Sequence, residues 1–274
     1  ATLLKGYGYE TRAFHPGEQT SWQRNIAYPR LGFDSFKCGE DMDVPQTEEH
    51  GYVSDDSDFE QIIWEFEHKD ESTPLFLFNV TIQNHGSYTV EDYPAEVQLA
   101  DEPGAYPKAE QYLTLANKTD EAFKKLIDYF SAQTEPTILV MFGDHQPSVE
   151  QEFLDKAYGV TQDEMTMAQY MDKFKVPFII WANYPLTGDS TKITSLNFLA
   201  QYVLRNAGIE TSAYGKYLWN LQKTIPAMTF AGYFDSEGNA YSHLDTTKFT
   251  PLIEDYERVP VSYTHLTLPT NSEV

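Results

Sequence analysis

Two apolar runs of this sequence end at residues that could bind a metal ion or a substrate. In "TILVMFGDHQPS", residues 137 to 148, the run ends at Asp144 and His145. In "FNVTIQNHGSY" a second run leads to His85. A carboxylate oxygen and a neutral imidazole nitrogen are suitable ligands for a divalent ion such as Mn²⁺, Zn²⁺ or Mg²⁺. Asp144 and His145 are therefore candidate metal ligands, and His85 is a candidate for the same site.

The same residues have an ordinary structural interpretation. Asp144 would cap the segment that follows it, and His145 would bond to a backbone carbonyl. This alternative has to be weighed because short motif matches are only hypotheses. A lone histidine after a strand is more often structural. Two strands that deliver histidines to one edge of a sheet favour a functional site. Both interpretations stay open from the residues alone.

A third group lies near the start of the chain, in "AFHPGEQTSWQRN". Here His15, Trp22 and Arg24 lie in a loop-like region that neither helical nor strand periodicity explains. Arg24 could clamp two oxygens of a phosphate or sulfate, and Trp22 could form a wall or donate its indole N–H. Alternatively, Trp22 packs into the protein and Arg24 pairs with one of the surplus acids.

The elements that must position these residues alternate between helix and strand. Apolar periodicity predicts helices at 58–69, 120–133 and 161–174, with Thr119 as the N-cap of the second, and strands at 74–82, 137–142 and 176–183. Such apolar strands indicate an α/β fold whose sheet is covered on both faces, with ligands outside the carboxyl ends of the strands. Further on, the pattern predicts a helix at 195–208 that ends at Gly208, and then a hairpin with its turn at "DSEGN".

Composition excludes several classes of function. The formal charge of −23, from 42 acidic and 19 basic residues, leaves no basic stripe for nucleic acid. To bind an anionic substrate, the protein would need a metal ion or a few arginines at the site to overcome the repulsion from this negative charge. The single cysteine, Cys38, excludes an intramolecular disulfide framework. The sequence contains no run of 18 or more apolar residues, the length expected of a transmembrane helix. The N-terminus does not resemble a signal peptide.

Several of these motifs together resemble one family. "FHPGEQTSWQRN…LGFDSF", "FNVTIQNHGSY" and "ILVMFGDHQPS", in this order, are similar to the extracellular catalytic domain of the lipoteichoic acid synthase family, which are sulfatase-type phosphoglycerol transferases of the alkaline phosphatase superfamily. "VPFIIWAN" and "TIPAMTFAGYFDSEGNAY" resemble later segments of that domain. The resemblance runs from about residue 4 to about residue 259.

The resemblance implies a fold and a role for each candidate residue. The fold would have a central, mostly parallel sheet with helices on both faces, and a small C-terminal antiparallel hairpin region. Asp144 and His145 match metal ligands, with Mn²⁺ the expected ion and Mg²⁺ or Zn²⁺ as alternatives. His85 matches a catalytic histidine that faces the substrate, and His15, Trp22 and Arg24 match positions that line the phosphoglycerol pocket.

The implied activity is the transfer of glycerol phosphate from phosphatidylglycerol to a lipoteichoic acid polymer. In that family a metal-activated threonine attacks the phosphodiester and diacylglycerol leaves. The full-length protein would sit at the extracellular face of a bacterial cell membrane, anchored by N-terminal helices. The family's threonine and a metal-binding glutamate would precede Ala1, and neither Thr11 nor Thr20 is a suitable replacement. The isolated chain is therefore expected to be inactive.

The domain organisation follows from the same comparison. Residues 1–259 are expected to be a catalytic domain that lacks its N-terminal part, and residues 190–259 form its small C-terminal α+β portion. Residues 260–274, "PVSYTHLTLPTNSEV", do not match the family and are expected to be a non-native tail outside the fold.

Two other functions stay open. One is a sulfatase or phosphodiesterase of the same superfamily that acts on a different anionic ester. The other is a non-catalytic binding or sensor module that has kept the fold and lost the chemistry. The presence of transmembrane spans, a glutamate and a threonine in the upstream coding sequence would exclude the sensor.

Overall fold

The protein is described by a computed structural model that covers residues 1–89, 91, 93–188 and 193–267, with side chains described as far as residue 259. The chain forms two compact units. The first is Ala1–Glu135 with Pro147–Ala157, and the second is Pro136–Gln146 with Tyr158–Val274.

The helices of the described residues are α1 (Thr2–Lys5), α2 (Arg24–Arg30), α3 (Asp55–Glu67), α4 (Pro107–Ser131), α5 (Gln151–Tyr158), α6 (Met167–Asp172), α7 (Leu196–Asn206), α8 (Ala213–Leu221) and α9 (Thr250–Thr267). Short 3-10 turns occur at Ser21–Gln23, Gly39–Asp41 and Gln162–Glu164. The strands are β1 (Glu10–His15), β2 (Ser35–Cys38), β3 (Glu48–Glu49), β4 (Tyr52–Val53), β5 (Leu75–Asn79), β6 (Ile138–Phe142), β7 (Phe178–Ala182), β8 (Ala227–Met228), β9 (Gly232–Phe234) and β10 (Ala240–Ser242). None of these helices combines the length and the apolar content needed to cross a bilayer.

The first unit is built on a parallel sheet in the order β2-β1-β5. Its central strand, β1, contains His15, and Arg24 begins α2, so the loop-like region predicted around His15, Trp22 and Arg24 is irregular only between these elements, over residues 16–20 and the short 3-10 turn that contains Trp22. The strand escaped detection because it begins with polar residues and has no apolar run. Thr11 is nevertheless fully buried, where its hydroxyl donates to Asp34 Oδ2 at 2.8 Å. Arg12 pairs with the buried Glu65 of α3.

Helices cover both faces of this sheet. Successive side chains of a strand point to opposite faces. On one face, the ring of Phe78 in β5 packs 6.3 Å from the ring of Tyr28 in α2. On the other face, the next residue, Asn79, donates its side-chain amide to Asp58 of α3. The prediction of a sheet covered on both faces is confirmed for this unit.

Local sequence explains where the two long helices of the first unit begin. Ser54 caps α3 by accepting the backbone N–H of Ser57 at 3.2 Å, and acids in the first turn favour the positive end of the helix. Helix α4 begins at Pro107, a favoured first residue. The prediction that Thr119 is an N-cap was therefore wrong. Thr119 lies inside α4, and its hydroxyl bonds back to Leu115 O at 3.1 Å.

The second unit contains the predicted strands β6 and β7, which pair antiparallel, with Ile138 opposite Ala182. These two strands therefore depart from the parallel arrangement expected of the sheet. Helix α7 ends before Gly208, whose φ of 68° is the left-handed conformation that glycine adopts most easily. The predicted hairpin is also present as β9 and β10. Asp235 closes its turn by accepting the backbone N–H of Asn239 at 2.9 Å.

The core of the second unit packs helices α7, α8 and α9 around the hairpin. Its buried members are Phe198, Leu218, Leu221, Ile225, Tyr233, Phe249 and Ile253. Helix α9 extends to Thr267, so the prediction that residues 260–267 belong to no element was wrong. Residues 268–274 of the predicted tail lie outside the described residues.

Candidate functional site

His15 stands at the carboxyl end of β1 and is only 4% exposed. Its Nδ1 accepts the backbone N–H of Gly17 at 2.8 Å, so in the neutral ring the proton lies on Nε2. Burial, together with the charges of Arg24 and His85, lowers the pKa of His15 to about 4. His15 is therefore a neutral N–H donor at physiological pH, and Arg24 and His85 lie close enough to influence it.

Two glycines allow the chain to pack tightly around His15. A Cβ atom on Gly17 would stand 2.8 Å from His15 Cε1. A Cβ atom on Gly39 would stand 2.1 Å from the carbonyl oxygen of Pro16, which is backbone and cannot move aside. The turn after β1 thus requires glycine at position 39 and favours it at position 17.

Trp22 and Arg24 lie where the chain enters α2. Trp22 is 86% exposed, so it does not pack into the protein. Its φ of 56° places it in the left-handed region, and Gln23 follows with a φ of 53°. Arg24 donates from Nη1 to the carbonyl oxygen of Glu18 at 3.1 Å. Within the described residues, Arg24 forms no ion pair with a carboxylate, which leaves its guanidinium charge available for an anionic ligand.

His85 lies in the loop after β5 and is exposed. Its Nδ1 lies 2.7 Å from the carbonyl oxygen of Gly86. A carbonyl only accepts, so Nδ1 carries the proton and Nε2 keeps a free lone pair. The Tyr52 hydroxyl lies 3.5 Å from the same Nδ1, and the two rings meet edge to face at 5.7 Å.

A buried glutamine, which sequence analysis missed, anchors the loop that carries His85. Gln83 is 1% exposed. Its Oε1 accepts the backbone N–H of Asp55 at 2.9 Å, and its Nε2 donates to Leu115 O at 3.2 Å and to Thr119 Oγ1 at 3.1 Å. From the opposite side, His50 Nε2 donates to the backbone oxygen of Gln83 at 2.6 Å. No sequence signal distinguishes this glutamine, because its partners are far away along the chain.

Beneath this loop lie two buried carboxyl groups at the start of α3. Burial raises the pKa of Asp55, hydrogen bonds from Thr119 and Thr81 lower it, and the net value is about 6. Burial and the neighbouring Asp55 raise the pKa of Asp58 well above its usual value. These acids are part of the support of the loop rather than surface groups.

Asp144 and His145 follow β6 in the second unit, and their side chains are 78% and 73% exposed. Each makes the local bond that the structural interpretation expected. Asp144 Oδ1 accepts the backbone N–H of His145 at 2.8 Å, and His145 Nδ1 donates to the carbonyl oxygen of Gln146 at 2.9 Å. These bonds leave Asp144 Oδ2 and the unprotonated His145 Nε2 free, 3.4 Å apart.

That separation fits two ligands on one metal ion. Two atoms that each lie about 2.1 Å from an ion, at a tetrahedral angle, stand about 3.4 Å apart. The local hydrogen bonds fix the tautomer and the carboxylate orientation, as outer-shell contacts of metal ligands do. The described residues contain no group of three or more His, Cys, Asp and Glu that could hold a metal, so this pair is an incomplete ligand set.

The candidate residues thus form two groups. Within the first unit the charges of Arg24 and His85 both act on the pKa of His15, and Trp22 lies two residues before Arg24, while Asp144 and His145 are adjacent in the second unit. Their assembly into one site stays a prediction.

Comparison with solved structures identifies the class of fold. The phosphoglycerol transferase GacH from Streptococcus pyogenes, in complex with sn-glycerol-1-phosphate, superimposes with a TM-score of 0.69 at 17% identity, over 92% of this chain and 60% of that one. The fold is that of the alkaline phosphatase superfamily, as expected from the sequence.

The chain belongs to the sulfatase family, whose sequence model matches residues 1–209. A putative cyclic beta-1,2-glucan modification protein from Rhizobium meliloti is 30% identical over 229 residues, covering 80% of this chain and 35% of the relative. The lipoteichoic acid synthase-like protein YvgJ from Bacillus subtilis is 28% identical over 181 residues, covering 65% of this chain and 28% of the relative. The resemblance to the lipoteichoic acid synthase family is thereby confirmed. The chain spans about a third of the length of these relatives.

Proposed function

We propose that this chain is part of a phosphoglycerol transferase that moves glycerol phosphate from phosphatidylglycerol to an acceptor at the outer face of a bacterial membrane. The observation that carries the proposal is the grouping of His15, Arg24 and His85 in the first unit, where Arg24 and His85 both lower the pKa of His15. These residues offer one permanent cation, one neutral N–H donor and one free imidazole nitrogen. That set matches the needs of a phosphodiester that must be bound, oriented and protonated.

Each residue has a distinct task in the proposed reaction. The guanidinium of Arg24 binds two non-bridging phosphoryl oxygens. His15 donates its Nε2–H to an ester or hydroxyl oxygen of the substrate without adding charge. His85 Nε2, free because Nδ1 is bonded to Gly86 O, accepts the proton of the attacking hydroxyl and returns it to the departing diacylglycerol oxygen. The nucleophile is a threonine hydroxyl supplied from outside these 274 residues, which attacks phosphorus as diacylglycerol leaves. In the second step the acceptor hydroxyl attacks the phosphoglycerol-threonine, loses its proton to His85, and the threonine oxygen leaves and takes that proton back.

We propose Asp144 and His145 as two ligands of a divalent ion, with Mn²⁺ first and Mg²⁺ or Zn²⁺ as alternatives. Their free Oδ2 and Nε2 atoms, 3.4 Å apart, support this role. When bound, the ion would lower the pKa of the attacking hydroxyl and stabilise the developing negative charge. The remaining ligands would come from outside the described pair.

The acceptor has two candidates. The similarity to lipoteichoic acid synthase relatives favours a glycerol-phosphate polymer. The Rhizobium meliloti relative, which is 30% identical and aligned over 80% of this chain, favours a glucan instead. Both acceptors present a hydroxyl, so the same donor chemistry serves either one.

The test uses the natural protein that contains this chain. It is incubated with Mn²⁺, phosphatidylglycerol with a labelled headgroup, and either a glycerol-phosphate polymer or a cyclic glucan. We expect diacylglycerol release and transfer of label to one acceptor, and neither from the 274 residues alone. No release by the natural protein with Mn²⁺, Mg²⁺ or Zn²⁺ would disprove the proposed function.

A further inference from the structure

The exposed large hydrophobic side chains in the described part of the first unit are close together in the sequence. Among the described residues of that unit, those exposed all lie near the start of the chain: Leu3, Tyr7, Trp22, Ile26 and Leu31. Trp22 is 86% exposed, Leu31 61% and Ile26 44%. Single exposed hydrophobic residues need no explanation, but a group of them next to a candidate site indicates a surface that meets something apolar.

The geometry of α2 turns these residues outward. Tyr28 faces the sheet, where its ring packs 4.7 Å from the ring of Phe36. Ile26 and Arg30, four positions apart, are neighbours on the exposed side of the helix. Leu31 follows directly at the end of the helix. We call Trp22, Ile26, Arg30 and Leu31 the α2 patch.

Charge sets this patch apart from the rest of the chain. The sequence has 42 acidic residues, yet none lies between positions 19 and 33, where Arg24 and Arg30 are the only charged residues. A chain with a net charge of −23 is repelled by anionic surfaces over most of its area. A segment that combines arginines with exposed tryptophan and aliphatic residues has the composition of an interfacial membrane contact.

We infer that the α2 patch docks on an anionic lipid surface. The inference rests on the proposed function, since it specifies how a lipid donor reaches the site. Ile26 and Leu31 enter the boundary of the acyl chains, Trp22 lies at the level of the headgroups, and Arg30 contacts lipid phosphates. Arg24 lies at the start of the same helix, and its charge lowers the pKa of His15. The patch therefore adjoins the residues proposed to hold the phosphoryl group. A phosphatidylglycerol headgroup can then enter the site while its acyl chains stay in the bilayer.

The test is co-sedimentation of the 274-residue chain with vesicles of phosphatidylglycerol mixed with phosphatidylcholine, and with vesicles of phosphatidylcholine alone. The variants are Ile26→Asp, Leu31→Asp and Arg30→Gln. The matched control is Leu244→Asp, at a leucine of the second unit that is 96% exposed. Circular dichroism and thermal unfolding establish that each variant is folded.

We expect binding to the mixed vesicles that weakens with salt. Ile26→Asp and Leu31→Asp should each lower the partition coefficient by about tenfold or more, because the substitution removes apolar contact and adds a repelled charge. Arg30→Gln should lower it about fivefold, the usual effect of one basic residue near an anionic surface. Leu244→Asp should bind as the unaltered chain does.

Several results would overturn the inference: no binding to the mixed vesicles, equal binding to phosphatidylcholine alone, or equal losses in Leu244→Asp. A dimer in solution that Leu31→Asp dissociates, without any lipid binding, would assign the patch to a second copy of the chain instead. Binding that depends on the patch, in a natural protein that transfers nothing, would support the inference and disprove the proposed function. Turnover on vesicles that is unchanged in Ile26→Asp would disprove the inference and support the proposed function.

Discussion

The side-chain carbonyl of Gln83 accepts the backbone N–H of Asp55 at 2.9 Å, and this bond joins the loop of His85 to the first turn of α3. The amide end of the same side chain reaches α4 through Leu115 and Thr119. One buried residue thus connects two helices to the loop that carries the proposed catalytic histidine. The position of His85 depends on that connection, although Gln83 itself has no place in the reaction.

Replacing Gln83 with leucine should therefore destabilise the protein. The substitution leaves the Asp55 N–H and its other partners unpaired in a buried environment, at a cost of about 2–3 kcal/mol. Urea unfolding of the 274-residue chain measures the loss. The control is Gln98→Leu, at an exposed glutamine of the same unit, which should change the free energy of unfolding by less than about 0.5 kcal/mol. Equal effects would show that Gln83 is not the anchor.

Sequence patterns predicted the elements whose apolar residues repeat regularly. Strand β6, helix α7 and the β9–β10 hairpin were all recognised in this way. Strand β1 was missed because only Ala13 and Phe14 of its buried residues are apolar, too few to form an apolar run. Thr11 and Arg12 are satisfied by partners 23 and 53 positions away, which no local pattern reveals.

The candidate site shows the same division. The residue types with chemical capacity, such as His15, Arg24 and His85, were visible from the sequence. Their support by Gln83 was not, since a buried glutamine and an exposed one look alike in a single sequence. The antiparallel pairing of β6 and β7 was also missed, because apolar strands of either direction have the same composition.

His15 should stay neutral far below the usual range for histidine. Its pKa in the folded chain is about 4, whereas a histidine in the unfolded chain has the ordinary value of 6.5. Between pH 4 and pH 6.5 the unfolded chain binds more protons than the folded chain, so the free energy of unfolding rises with pH. The contribution of His15 is fully present above pH 6.5 and is lost as pH falls through 4. The contribution is at most about 3 kcal/mol.

Two measurements check this behaviour. NMR of ¹⁵N-labelled imidazole should show His15 protonated on Nε2 alone throughout the physiological range. His15→Gln should flatten the rise in unfolding free energy between pH 4 and 6.5 relative to the unaltered chain. A His15 ring that titrates near 6.5 would contradict the burial and the charges that the structure places around it.

Asp55 should act in the opposite direction. Its pKa is about 6, above the reference value of 3.8, so the folded chain binds the extra proton in this interval. The resulting stability is complete below 3.8 and is lost as pH rises through 6. Asp55→Asn carries no such proton. Relative to this variant, the free energy of unfolding of the unaltered chain should fall by an amount on the order of 2–3 kcal/mol between pH 4 and pH 7. Urea unfolding at several pH values measures the difference, and a constant difference would contradict the prediction.

Metal binding should depend on both members of the Asp144–His145 pair. Asp144→Ala and His145→Ala should each weaken Mn²⁺ binding by at least about tenfold, a size already seen when an outer-shell partner is removed. Isothermal titration and elemental analysis of the natural protein measure the effect. Asp163→Ala, at an exposed aspartate of the same unit, is the control. Full metal content in Asp144→Ala would show that this aspartate serves only as a local cap.

The roles of Arg24 and His85 should differ from those of the metal ligands. In the natural protein, Arg24→Ala and His85→Ala should keep the metal while turnover on phosphatidylglycerol falls by a factor on the order of 10² or more, the scale for losing a transition-state charge or a proton-transfer group. Arg24→Lys should restore little, because an ammonium group cannot bind two phosphoryl oxygens at once. Arg258→Ala, at an exposed arginine paired with Glu254, should leave turnover unchanged. Turnover and metal content measured together separate the roles, and full activity in Arg24→Ala would remove Arg24 from the substrate site.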